Sequence, residues 1–149
     1  MHYVHRALIK ASRETVIDFH RSASSLEAIT PPFFFMHALD APDPLEEGSL
    51  LSFKLWLGPF PVRWRARIEN TNPAGFEDVL VDGPFESWVH DHTFQAETPT
   101  SCWIIDRVEF QLRRHPYWYP LGLLMGLGLP ILFAYRIWKT KSLLERSYS

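Results

Sequence analysis

A single cysteine, Cys102, excludes an internal disulfide, and with no CxxC pair or neighbouring histidine nothing in the sequence activates it as a nucleophile; a small filler is expected. Charge is scarce: only 21% of residues are charged and the formal balance is -2. Such a chain has no global attraction for polyanions, so nucleic acid is excluded as a partner unless a local basic patch exists. There is no internal repeat and no low-complexity stretch. The opening Met1-His2-Tyr3-Val4-His5-Arg6 lacks the basic region and apolar core of a secretory signal, so a cytoplasmic protein is expected, with membrane attachment the minority reading. The 149 residues suffice for one domain, 1–149, able to bury a core unaided.

Alternating patterns dominate the rest. Residues 2–10 read as a first strand, Ser12 as the N-cap of a short helix with Glu14 in its first turn, and residues 25–29 as a second short helix stopped by Thr30-Pro31-Pro32. Six further strands fit residues 33–39, 50–57, 62–70, 76–82, 87–96 and 102–112, separated by turn-forming clusters such as Asn72-Pro73-Ala74-Gly75. In Val62-Arg63-Trp64-Arg65-Ala66-Arg67-Ile68 the arginines oppose the tryptophan. This argues against base stacking and for a solvated stripe paired with Glu69, Glu77 or Asp78.

After Arg113-Arg114-His115, residues 117–135 carry no charge. That approaches the roughly 20 apolar residues of a membrane span, and Gly122 and Gly126 match a small-xxx-small packing pattern. Pro120, Pro130 and the glycines break the run, however, and Pro130 suits the first turn of a helix reaching about Glu145. A helix covering the sheet is preferred over a span. Residues 121–129 are left as an apolar flap or a dimer contact, so segment 117–130 is the candidate for homodimer or membrane contact.

The motifs Phe19-His20, Ser25-Leu26-Glu27 with Ile29-Thr30-Pro31-Pro32, Gly83-Pro84-Phe85 with Trp88, His90, His92 and Phe94, Asp106-Arg107-Val108-Glu109-Phe110, and Phe133-Ala134-Tyr135-Arg136 span most of the chain. In this order the sequence resembles a bacterial subgroup of the START-like or Bet v 1-like (SRPBCC) superfamily. The resemblance implies an α+β helix-grip fold: a curved antiparallel sheet of about seven strands around a long C-terminal helix, with two short helices after the first strand. It implies an apolar cavity but no catalytic residue set, since the subgroup consists largely of uncharacterised ligand-binding or cyclase-like proteins.

Strand parity names the candidate site. Trp88, His90, His92 and Phe94 share one face, a largely apolar surface with few polar groups, as small-molecule sites have. Phe53, Leu55 and Trp64 join them by the same parity, with Phe133 and Ile137 facing them from the long helix. Asp106 falls on the face of Ile104 and Val108, where it could meet one of the two histidines and fix its tautomer. His90, His92 and Asp106 are therefore weak catalytic candidates, weaker than a satisfied buried network. The i, i+2 histidines match no zinc signature, and no metal or cofactor is expected. His20, at a helix end, is read as structural. The expected function is binding of a small hydrophobic or aromatic molecule, or a lipid. A polyketide cyclase or dehydratase using a pocket histidine is the alternative, and a protein attached to membrane through 117–135 the second.

Overall fold

The computed structural model describes residues 1–31, 34–57 and 59–145, and the side chains of 34–39 are left out of the description; the expected strand residue Phe33 lies outside the described residues. The chain runs β1 (His2–Ile9), α1 (Arg13–His20), α2 (Ala23–Ala28), β2 (Phe34–Asp40), β3 (Leu50–Leu57), β4 (Phe60–Asn72), β5 (Gly75–Asp82), β6 (Phe85–Thr98), β7 (Ser101–Leu112), α3 (Trp118–Leu127) and α4 (Leu129–Leu144). The seven strands form one antiparallel sheet in the order β1-β7-β6-β5-β4-β3-β2. This is the α+β helix-grip arrangement, with α4 lying across the inner face.

Local chemistry explains the boundaries. Ser12 caps α1 by accepting the Thr15 N–H at 3.2 Å, leaving one fewer orphan donor at the helix start. In β4, Val62, Trp64, Ala66 and Ile68 are buried while Arg63, Arg65 and Arg67 are exposed, the period of two that fixes which face looks inward. The arginine stripe is indeed outside: Arg65 Nε donates to Ser52 Oγ and Arg67 pairs with Glu69. Asp78 does not belong to it. It lies opposite Ile68 in the register of β4 and β5, so the pleat turns its carboxylate inward.

The apolar interior has two parts. One gathers Ile9, Val16, Leu51, Phe76, Phe94, Cys102 and Leu144 beneath α1; the other gathers Trp64, Phe85, Trp88, Phe110, Leu129 and Phe133 beneath the start of α4. Cys102 is fully buried, as a filler should be.

Residues 121–129 are not a loose flap. Pro120 sits in the first turn of α3, where the missing N–H costs no helical bond, so the helix forms through it. Gly128 closes α3, and α4 starts there at a bend of 48°; among the described residues no single helix is long and apolar enough to cross a membrane. The Gly122 and Gly126 pair serves sheet packing: a Cβ at Gly126 would stand 2.8 Å from Phe110 Cζ, and one at Gly122 3.0 Å from Leu112 Cδ2. Gly126→Leu should therefore lift α3 off β7 and cost about 1–3 kcal/mol in urea unfolding. A neutral result would show that α3 is not seated through this contact. The outer side of this corner exposes Leu124, Leu127 and Ile131, and Trp138 further along α4 is 61% exposed rather than part of the core.

Candidate functional site

Three adjacent strands build the polar centre. In the β5–β6 register Asp78 lies opposite His90, and in the β6–β7 register Asp106 lies opposite His92. All four side chains point inward, and the hydrogen bonds form on the diagonals. His90 Nε2–H donates to Asp106 Oδ1 at 2.8 Å, and His92 Nε2–H donates to Asp78 Oδ2 at 2.7 Å. The remaining ring nitrogens close the cycle at ion-pair distance: His90 Nδ1 is 3.4 Å from Asp78 Oδ2, and His92 Nδ1 is 3.4 Å from Asp106 Oδ1. Asp106, expected to meet one histidine, meets both. The imidazoles lie 3.7 Å apart, with Phe76 stacked on His92 at 4.6 Å and Phe133 edge-on to His90 at 5.3 Å.

This enclosure sets the protonation states. Burial alone would raise the Asp106 and Asp78 carboxyls, but the hydrogen bonds and charges of the two histidines outweigh it and hold both well below the usual carboxylate range. Burial alone would lower His92; hydrogen bonds and charges from Asp106 and Asp78 reverse this and raise it to about 9. His92 is therefore an imidazolium at neutral pH.

His20 behaves oppositely. It donates Nδ1–H to Val16 O at 2.8 Å, one turn back in α1. Burial first, then the positive fields of His92 and Arg136, push it down to about 4. At the helix end where sequence reasoning assigned it a structural role, it is a neutral imidazole on the cavity wall, its ring 5.0 Å from Phe94 and 6.5 Å from His92.

Between the inner face and α4 lies a cavity of about 400 Å³. Of the expected ligand residues, Phe53, Leu55, Trp64, Trp88, His92, Asp106, Phe133 and Ile137 line it. His90 and Phe94 do not: His90 sits behind His92 against Phe133, and Phe94 is 1% exposed in the packing beneath α1. Sequence reasoning did not place Asp78, His20, Arg136, Thr140 or Leu45 on this wall. Leu45 arrives from the loop before β3, tied down by its N–H to Arg21 O at 2.7 Å. The family-like motifs contained His20 and Arg136 but gave no sign of their direction.

Asp78, His90 and His92 each present a ligand atom within 4.8 Å of the others, a set able to converge on a metal ion. In the present arrangement both Nε2 atoms carry their protons toward carboxylates, and a metal would require at least His92 to give its proton up.

No protein-family model and no curated protein sequence matches the chain. Solved structures do match in shape. The ZhuI aromatase/cyclase of Streptomyces sp. R1128 superposes with a TM-score of 0.79 at 11% identity, covering 100% of this chain and 96% of that one. A point mutant of norcoclaurine synthase from Thalictrum flavum, in complex with a transition-state analogue, gives 0.73 at 15% identity over 100% and 96%. A START superfamily protein of Mycobacterium smegmatis gives 0.72 at 10% identity over 97% of both chains. Together with the seven-stranded sheet gripping α4, these likenesses show that the chain has the same helix-grip fold as these proteins.

Proposed function

We propose that this protein binds a small hydrophobic or aromatic molecule in the cavity, oriented by the few polar groups that line it, among them His92 and Asp106. The observation that supports this reading is the cavity itself, apolar on most sides with titratable groups gathered in one region. Burying about 300 Å² of apolar ligand at about 25 cal/mol per Å² would supply about 7 kcal/mol before the costs of association. Similarly shaped proteins include one solved with a transition-state analogue and an aromatase/cyclase, which agrees with a cavity meant to be occupied. The apolar corner of α3 and α4 would serve as the contact surface for a bilayer or a second copy. Native mass spectrometry of protein purified from cells without detergent should show extra mass that denaturation releases. A protein with no bound mass, which also takes up none from a panel of apolar compounds, would overturn the reading.

One observation favours a cyclase- or dehydratase-like enzyme as the second reading. His20 and His92 face one cavity with their pKa values driven apart, to about 4 and about 9, so one offers a lone pair while the other offers a proton. If so, the released compound would be chemically converted on incubation, and His92→Gln would stop conversion without abolishing binding. In a simple binder the compound would come back unchanged.

A further inference from the structure

Arg136 lines the cavity from α4, and among the described residues it makes neither a hydrogen bond nor an ion pair; its Nε is buried without a partner. Its guanidinium carbon lies over the ring of Phe133, 5.7 Å from the centroid. Asp106 and Asp78 act on it only through space, being engaged with the histidines, and burial works against its charge. A cation partly withdrawn from water with no counter-ion in contact carries a cost, and a guanidinium holds its five N–H donors in a planar fork that fits a carboxylate.

Thr140 supplies an independent observation. It stands one turn further along α4, is 1% exposed and lines the same cavity. A threonine inside a helix commonly returns its hydroxyl to the carbonyl four residues back. Here that carbonyl belongs to Arg136, and Thr140 Oγ1 has no partner. Two unmet polar groups thus stand at i and i+4 on one helix face, against a void whose other walls are mostly apolar. A dianion such as a phosphate monoester would need more than one cation here and would be repelled by Asp78 and Asp106. A single negative charge at the end of an apolar body is the better match.

We propose that Arg136, with Thr140 beside it, receives the carboxylate of an apolar monocarboxylic acid whose body fills the cavity. This rests on the cavity-binding reading above and assigns the chemical class of its ligand. The test compares sodium dodecanoate with 1-dodecanol below their aggregation limits at neutral pH, followed by calorimetry or by the emission of Trp64 and Trp88, which line the cavity. The wild-type protein should bind the acid at least about tenfold more tightly than the alcohol, the difference expected for a charge-assisted hydrogen-bonded pair. In Arg136→Gln the ratio of acid to alcohol affinity should fall to about one. Thr140→Val, a milder change, should lower the ratio of acid to alcohol affinity a few-fold, so the comparison survives if Arg136→Gln does not fold.

Equal binding of acid and alcohol by the wild-type protein would overturn the carboxylate assignment and leave the cavity reading intact. Preference for the acid that persists in Arg136→Gln would overturn the role of Arg136. Binding of neither compound would overturn this inference, and the cavity reading would then stand or fall on the native mass measurement.

Discussion

Replacing Asp106 with alanine should destabilise the fold by about 3–5 kcal/mol, because it leaves His90 without its hydrogen-bond acceptor and His92 without one of its two counter-charges in a buried site. Natural domains hold about 5–15 kcal/mol in all, so the variant should lie near the edge of folding, its melting temperature lower by about 10 °C. Asp78→Ala should cost less, since the Asp78 side chain is 21% exposed against 7% for Asp106 and water can replace part of what is lost. Replacing His90, His92, Asp78 and Asp106 together with apolar residues of similar size should recover much of the stability, because a fully apolar core avoids the desolvation that the charges suffer. Urea unfolding of the two single variants and the fourfold one at neutral pH checks the series. A loss below about 1 kcal/mol for Asp106→Ala would mean that the cluster contributes no more than a surface ion pair does.

Stability should also follow a bell in pH with its maximum near 6.5. His92 is raised in the folded state from 6.5 to about 9, so its contribution is complete below 6.5 and is lost as pH rises through 9. That interval corresponds to about 3 kcal/mol. His20 is lowered from 6.5 to about 4, so its contribution is present above 6.5 and is lost as pH falls toward 4, again on the order of 3 kcal/mol. Asp78 and Asp106 add to the acid limb, since both are held below 3.8 and stabilise the fold only while ionised. His92→Gln should flatten the alkaline limb and His20→Gln the acid limb between 6.5 and 4. Denaturant midpoints at closely spaced pH values test this, and a wild-type profile level from 6.5 to 9 would show that His92 is not held as an imidazolium.

Much of the fold is written in short-range pattern. The alternation in Val62-Arg63-Trp64-Arg65-Ala66-Arg67-Ile68 and the turn at Gly83-Pro84 suffice to place β4 and the start of β6, because parity and turn chemistry act over a few residues. The centre of the site was half legible for the same reason: His90 and His92 share a strand, whereas Asp78 comes from a segment, Phe76-Glu77-Asp78-Val79-Leu80, with an acid on each face. Only the cross-strand register decides which acid turns inward, and register is a long-range property. Arg136 and His20 escaped for a related reason. A histidine at a helix end or an arginine within a helix that grows charged toward its C-terminus has a ready local explanation, and only the packing of α1 and α4 against the sheet reveals a cavity in front of it. The α3 helix was hidden by Pro120, whose cost depends on where the helix begins.

The pairing of Asp78 with His90 and of Asp106 with His92 has a consequence for how the sheet is assembled. Three long strands rich in alternating apolar residues can slide past one another by two positions and still bury the same face, so the hydrophobic pattern alone leaves several alignments close in energy. The acids and imidazoles remove that degeneracy. A slip of two in one direction would set Asp78 opposite Trp88 or Asp106 opposite Phe94, a carboxylate against an apolar neighbour, and a slip of either pair the other way would crowd both carboxylates opposite the same imidazole. The cluster thus acts as a vernier for β5, β6 and β7, selecting one alignment among near equals even where its net contribution to stability is modest.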